Sequence, residues 1–128
     1  RYVLFGKASA RLDDLLNWLP ARLSVPVIAL CAQAMFQTGR QSFQTAVCEG
    51  KNHKSPNAGR PEAAFAGALG VRINGPGIYH GRVIKKPWIG VDFARPAPED
   101  IIRAASLQIC GAGMSTIILT LCLIARWL

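Results

Sequence analysis

The sequence has few acidic residues and lacks the signatures of several common binding sites. Seven Asp and Glu stand against 15 Lys and Arg, a net charge of +8 that suits lipid headgroups, phosphate or nucleic acid. No basic run interleaved with aromatic residues occurs and no nucleic-acid motif is present, so we expect no nucleic-acid partner. The four cysteines follow neither CxxC nor zinc-ligand spacing, which argues against a zinc site and a disulfide framework.

Signatures of nucleotide binding and of hydrolytic catalysis are also absent from the sequence. There is no GxxxxGK[ST] loop, so any bound ATP must be held by another kind of site. Neither a nucleophile elbow nor a Ser-His-Asp pattern occurs, and His53 and His80 are isolated along the chain. The chain begins at Arg1 without a methionine and closes on an apolar run, so we expect it to be a piece of a longer protein.

Apolar residues are abundant, at 51% of the chain with a mean hydropathy of +0.24, which favours a membrane protein. Residues 23–39 carry no charge but lie near the short limit for a transmembrane helix. A short span, a re-entrant helix and a buried core helix all fit this segment, and we favour a membrane-embedded helix.

A second apolar segment, residues 104–125, is also uncharged and is a stronger candidate. As a helix it would be about 33 Å long, which matches a hydrocarbon core of about 30 Å. Pro98, Glu99 and Asp100 are typical of a helix start, so we predict a transmembrane helix at about 98–125, with a buried helix of a soluble protein as the alternative. Residues 40–97 then form a polar, basic loop, predicted on the cytoplasmic side.

An amphipathic helix is predicted at residues 7–23. Its apolar stripe consists of Leu12, Leu15, Leu16 and Leu19. Asp13, Asp14 and Asn17 share the other side, and Pro20 would kink the helix or start a new one. Two adjacent carboxylates with an amide one turn away suit Mg²⁺, although a solvated helix face is the simpler alternative.

The stretch Ser55–Pro76 concentrates backbone-determining residues. Its first three residues, Ser-Pro-Asn, are typical of a turn. We predict that a helix starts at Pro61 and ends near Leu69, with Gly70 just beyond its C-terminus. The helix is built of alanines and Gly67, so a backbone or a large ligand should pack against it. Its N-terminus would suit an anion, and a tight linker that binds nothing is the alternative.

Three segments carry a resemblance to a known family: RLDDLLNWLPARL at 11–23, KNHKSPNAGRPEAAFAGALGVRINGPGIYHG at 51–81, and KPWIG at 86–90. They resemble, in order and spacing, the C-terminal part of the adenosylcobinamide-phosphate synthase (CobD/CbiB) family. The resemblance implies a mostly α, polytopic, multi-pass protein of the cell (inner) membrane. Residues 1–128 would form a single C-terminal portion, with a long polar loop containing a short helix.

The resemblance also implies an activity and its participants. The enzyme would join adenosylcobyric acid to (R)-1-aminopropan-2-ol or its O-phosphate through an amide, as an ATP-dependent carbon–nitrogen ligase of cobalamin biosynthesis. ATP and Mg²⁺ would be required, and the expected partners are a corrinoid, the aminopropanol, the lipid bilayer and other cobalamin-assembly enzymes. The present piece is expected to be inactive alone.

Site residues are implied by the matching positions. Asp14 and Glu62 would be catalytic, with Glu62 orienting or deprotonating the amine, and Asp13 and Asp14 would hold Mg²⁺. The residues that would bind substrate or phosphate are Arg22, Ser55, Asn57, Gly59, Arg72 and Tyr79.

Two other functions fit the same scaffold, a non-catalytic membrane assembly or regulatory protein and a fragment of a transporter. The Gly and Pro residues lie in a polar loop rather than in an apolar segment, which disfavours the transporter. The enzyme needs Asp14 and Asn57 on one side of the membrane. We therefore predict that residues 23–39 do not span it fully, or that they are strongly tilted.

Overall fold

The computed structural model of the chain describes residues 3–53, 55–79 and 81–127, with the side chains of residues 3–5, 56 and 79 outside that description. Its α-helices are α1 (Val3–Phe36), α2 (Gly39–Glu49), α3 (Pro56–Leu69) and α4 (Glu99–Trp127), with a 3₁₀ turn at Gly50–Asn52. Its strands are β1 (Ile73–Asn74), β2 (Gly77–Tyr79), β3 (Arg82–Ile84) and β4 (Trp88–Ile89). β1 pairs with β4 and β2 with β3, both antiparallel. The prediction of a mostly α fold is confirmed.

Helix α1 is one continuous helix, so the predicted division near residue 23 is wrong. It passes through Pro20 and Pro26 and ends at Phe36 rather than at residue 39. Each proline withholds one N–H from the carbonyl four residues earlier, and a long helix can tolerate this loss by bending. The helix ends because Gln37 adopts a left-handed conformation, with φ of 61°.

The candidate membrane helix at 23–39 contributes the most buried part of α1. Its core members lie in one hydrophobic cluster with residues of the other three helices: Val25, Ile28, Cys31, Ala32, Ala46, Ala64, Ala68 and Leu107. Only one face of this segment is packed in this way, since Leu23, Leu30 and Met35 are exposed. Two helices in the described part of the chain are nevertheless long and apolar enough to cross a membrane, Gly6–Phe36 and Glu99–Trp127.

The region 40–97 was predicted as a loop with one short helix, and it contains two helices, a 3₁₀ turn and the strands. Helix α2 was not predicted because its buried face is not apolar. That face consists of Gly39, Ser42, Thr45 and Ala46. The Ser42 hydroxyl donates to the Ala64 carbonyl at 2.8 Å, and the Thr38 hydroxyl donates to the Ala68 carbonyl at 2.6 Å. Hydroxyl groups therefore join α2 to the backbone of α3.

Helix α3 begins more than a turn before its predicted start at Pro61. Ser55 is its N-cap, and the Ser55 hydroxyl accepts a hydrogen bond of 3.5 Å from the Ala58 N–H. Pro61 lies inside the helix. The predicted C-terminal position of Gly70 is confirmed, since this glycine is left-handed with φ of 67°.

Small residues let α3 approach another backbone, as predicted. Ala63, Ala64, Ala66 and Ala68 are at most 1% exposed. A Cβ atom on Gly67 would lie 2.6 Å from the Thr45 hydroxyl and 2.7 Å from the Gln41 carbonyl. A Cβ on Gly59 would collide with the Gly50 carbonyl. The neighbouring backbone is that of α2 and the 3₁₀ turn.

Helix α4 starts at Glu99 and runs antiparallel to α1. Near the start of α4, the Arg103 guanidinium lies 4.9 Å from the centre of the Phe36 ring at the end of α1. Further along α4, Ser115 lines a groove together with Ser24, which precedes Phe36 in α1. Leu107 is the buried residue of this helix, and its apolar side chains further along are exposed. Gly111 and Ser115 line this groove, and a Cβ on Gly111 would meet no atom within 4 Å.

The α2–α3 contact predicts opposite effects for two glycine substitutions. Gly67→Ala should lower the free energy of unfolding by about 1–3 kcal/mol, because its Cβ is forced against α2. Gly111→Ala is the matched control, since its Cβ meets only open space and alanine favours a helix by about 0.5–1 kcal/mol. Thermal unfolding in detergent measures both, and equal melting temperatures for the two variants would contradict this packing.

Candidate active site

A pocket of about 410 Å³ lies between α1 and the start of α3. It is lined by Asp13, Asp14, Asn17, Pro20, Ala21, Ser24, Ser55, Asn57 and Ala58. The lining residues that belong to α1 are spaced so that they lie along the polar face of that helix. The structure thus brings together the acidic motif and the Ser-Pro-Asn turn, which lie about forty residues apart in the sequence.

One hydrogen bond joins the two motifs directly. The Asn57 side-chain Nδ2 donates to the backbone carbonyl of Asp14 at 2.6 Å. Asn57 is 7% exposed, and its Oδ1 is buried without a hydrogen-bond partner in the described part of the chain. A buried polar atom without a partner carries a cost of about 1–3 kcal/mol. This oxygen therefore remains available to a donor or a cation that enters the pocket.

The two carboxylates of the acidic motif are presented differently. Asn17 Nδ2 donates to Asp13 Oδ1 at 2.9 Å, so Asn17 orients this carboxylate within the pocket. Asp14 follows about 100° further around the helix and also lines a second pocket. Asp14 therefore lies in the wall that the two pockets share.

The second pocket has a volume of about 680 Å³ and carries positive charge. It is lined by Asp14, Asn52, His53, Ser55, Asn74, Ile84, Lys85, Lys86 and Pro87. Asp14 and Ser55 line both pockets. An acidic pocket and a basic pocket thus adjoin at the start of α3.

The predicted catalytic residue Glu62 lies beside this second pocket, where two of the lining side chains contact it. Asn74 Nδ2 donates to Glu62 Oε2 at 3.4 Å, and His53 Nε2 lies 3.7 Å from the same oxygen. His53 was not predicted as a site residue, because its neighbours Glu62 and Asn74 come from α3 and β1, which are separate along the chain. Its position two residues before the N-cap Ser55 is the one feature of the sequence that could have suggested a role.

Three predicted binding residues do not line either pocket. The Arg22 guanidinium stacks on Trp18, 4.0 Å from the ring centre, and donates to the Trp18 carbonyl at 3.0 Å. Arg72 lies over Trp88 at 5.0 Å. Gly59 faces the Gly50 carbonyl. Contacts within the fold therefore explain the presence of these three residues without a bound ligand.

The remaining binding predictions concern Ser55 and Tyr79. Ser55 lines both pockets while its hydroxyl caps α3. The predicted anion site at a helix start near Pro61 is wrong, because the N–H groups of Ala58 and Gly59 already donate to Ser55. The Tyr79 side chain lies outside the described residues.

The donor set in the acidic pocket fits a hard cation. Among residues 3–53, 55–79 and 81–127, no three His, Cys, Asp or Glu side chains cluster as metal ligands. The pocket instead combines two carboxylates, Asp13 and Asp14, with the unpartnered amide oxygen of Asn57. Oxygen ligands with only one or two carboxylates suit Mg²⁺, which keeps several waters.

Comparisons with known proteins agree on one family. The family model described as CobD/Cbib protein matches residues 1–108. The chain is 46% identical over 105 residues to the cobalamin biosynthesis protein CobD of Desulfotalea psychrophila, covering 81% of this chain and 32% of that protein. It is 43% identical over 119 residues to CobD of Rhodobacter capsulatus, covering 92% and 37%.

A third relative carries the other family name. The chain is 39% identical over 129 residues to the cobalamin biosynthesis protein CbiB of Salmonella arizonae, covering 100% of this chain and 40% of that protein. The chain thus spans about a third to two fifths of the length of these relatives. No solved structure matches it.

The geometry of Asn57 predicts a charge-specific loss of stability. Asn57→Asp removes the donor to the Asp14 carbonyl and adds a third carboxylate to the pocket, so the free energy of unfolding should fall by about 1–3 kcal/mol. Gln44→Glu adds the same charge on the exposed side of α2 and should change it by less than about 0.5 kcal/mol. Chemical denaturation in detergent at low salt compares them; equal losses would contradict the assigned contact.

Proposed function

The chain belongs to the CobD/CbiB protein family, and from this premise we propose that it forms the site of an amide-forming enzyme in cobalamin biosynthesis. The reaction joins a carboxylate of adenosylcobyric acid to the amine of (R)-1-aminopropan-2-ol or its O-phosphate. The enzyme is an ATP-dependent carbon–nitrogen ligase of the cell (inner) membrane. Its substrates are thus a corrinoid, a small amine and ATP.

The observation that carries this proposal is the hydrogen bond from Asn57 to the Asp14 carbonyl. It supports a single site made from the two family motifs. A non-catalytic protein on the same scaffold would not need an unpartnered amide oxygen in a pocket with two carboxylates. That combination is suited to binding a charged ligand and costs stability when nothing is bound.

Mg²⁺ is the ion that the acidic pocket fits, held by Asp13, Asp14 and the Asn57 Oδ1. When bound, it offsets the negative charge of ATP phosphates. Asn17 keeps Asp13 oriented, and the Asn57 amide fixes the backbone of Asp14. These neighbours hold the two carboxylates in place before a ligand arrives, which is the arrangement that electrostatic stabilisation requires.

The basic pocket suits the phosphate group of the O-phosphate form of the amine substrate. ATP supplies the phosphoryl group that activates the corrinoid carboxylate as an acyl phosphate. The amine is largely protonated at pH 7, as a lysine amine is, and has to lose a proton before its nitrogen can attack. Glu62 accepts that proton, and the neutral nitrogen then bonds to the acyl carbon. The phosphate leaves with the carbon–oxygen bonding pair and takes up the second proton, which the new amide nitrogen loses. Lys85 and Lys86 lie where they can attract a phosphate group.

The proposed membrane location is supported by the two long apolar helices and by the course of the chain. Helix α1 and helix α2 form a hairpin that turns at Gln37 and Thr38. The chain then returns, so that Asn57 lies beside Asp14. The acidic motif and the Ser-Pro-Asn turn therefore both lie away from the turn of the hairpin and next to each other, as the reaction requires.

Complementation of a strain that lacks the synthase tests the function. The full-length protein should restore growth without added cobalamin or cobinamide. Asp14→Ala and Glu62→Ala should each lower the synthase rate at least about 100-fold and fail to restore growth. Asp92→Ala, an exposed acid that lines neither pocket, is the control and should restore it.

The outcomes of this experiment separate the alternatives. Failure of the unmutated full-length protein, at normal membrane levels, would favour the non-catalytic scaffold. Growth with Glu62→Ala or Asp14→Ala would refute the role given to that residue. Membrane levels of all variants are measured by immunoblot.

A further inference from the structure

We propose that His53 is a positioning residue that holds the Glu62 carboxylate for its reaction with the amine. The proposal rests on the amide-forming function given above. His53 is not among the residues that the family resemblance implies to be catalytic.

The backbone of Ser55 holds one side of the His53 ring. The Ser55 N–H and the Ser55 carbonyl oxygen lie 3.0 Å and 3.1 Å from His53 Nδ1. The other ring nitrogen, Nε2, lies 3.7 Å from Glu62 Oε2. The start of α3 therefore directs the Nε2 side of the ring toward this carboxylate.

The two neighbours of Glu62 approach the same oxygen. Asn74 Nδ2 donates to Oε2 at 3.4 Å, and His53 Nε2 faces Oε2 as well. A carboxylate held by one oxygen presents the other in a defined direction, which is what a base for a bound ammonium needs.

Asn74 is itself held in an unusual backbone conformation. Its φ is 65°, in the left-handed region that few residues other than glycine adopt. The β1–β4 pairing keeps it there, opposite Trp88. Non-glycine residues in this region often occur at functional sites. The conformation and the contact with Glu62 thus indicate the same location.

Burial and charge place this pair where a small amine can reach it. The side chains of His53 and Glu62 are 21% and 39% exposed. His53 and Asn74 line the basic pocket, together with Asp14 from α1 and with Lys85 and Lys86 after β3. A substrate in that pocket would lie between the lysines and the pair. The imidazole is therefore suited to fixing Glu62 rather than to contacting the acyl group.

Two conservative substitutions separate the two sides of the imidazole. His53→Asn keeps an acceptor near the Nδ1 position for the Ser55 N–H but loses the group that faces Glu62. His53→Gln carries an amide nitrogen near the Nε2 position but loses the acceptor for Ser55. Lys51→Ala removes an exposed side chain of the neighbouring 3₁₀ turn that lines neither pocket, and it is the control.

The assay is amide formation by the purified full-length enzyme in detergent. His53→Asn should lower kcat about tenfold to a hundredfold, as a misplaced reactive group does. Its KM for the corrinoid and its melting temperature should stay at the values of the unmutated enzyme. His53→Gln should recover most of kcat, and Lys51→Ala should keep it.

Each remaining outcome decides against the proposal. An unchanged kcat for His53→Asn would overturn the role of His53 while leaving the proposed function intact. Equal losses in both His53 variants, with lowered melting temperatures, would show a structural role only. An unmutated enzyme that forms no amide would overturn the proposed function and this proposal together.

Discussion

The close backbone contact between α2 and α3 is the constraint on which the rest of the structure depends. Only glycine at position 67 lets the Gln41 carbonyl and the Thr45 hydroxyl come so near the axis of α3. At the other end of α3, Gly59 and Gly50 meet in the same way. With both ends of α3 held against α2 and its 3₁₀ turn, Asn57 is placed within reach of the Asp14 carbonyl.

This packing also explains how the acidic motif and the Ser-Pro-Asn turn, which are far apart in the sequence, come to lie side by side. If the segment after Asp14 crossed a membrane completely, Ser55 would lie on the opposite face of that membrane. The chain instead turns at Gln37 and Thr38, and α2 returns along α1. One face of α1 before the turn is covered by α2, α3 and α4, whereas the later part of α4 leaves its apolar side chains exposed. The two apolar helices thus differ in environment, although their compositions are similar.

The sequence predicted those features that depend on local chemistry or on one repeated spacing. Gly70 was identified as a helix end because its conformation excludes most other residues. The small residues of α3 predicted a neighbouring backbone correctly. Helix α2 was missed because its buried face is made of small and hydroxylated residues, which give no apolar period.

The structure brings the two predicted motifs together, but several of the predicted binding residues line neither pocket. Arg22 and Arg72 match a family pattern, but each stacks on a tryptophan, a contact that the spacing along the chain does not reveal. His53 was overlooked for the converse reason, since Glu62 and Asn74 reach it only after α3 and β1 have packed. Such contacts between elements depend on tertiary structure.

The wall that the two pockets share is where the proposed two-substrate reaction would take place. Reacting groups have to come within about 3–3.5 Å of one another, so their sites must adjoin. The acidic pocket suits a cation with its phosphates, and the basic pocket suits a phosphate or another anion. Asp14 and Ser55 line both pockets, and both are fixed through their own backbones, one by Asn57 and the other by the start of α3. Under the proposed function, the reacting centre therefore lies beside these two residues, within reach of Glu62 from the basic side.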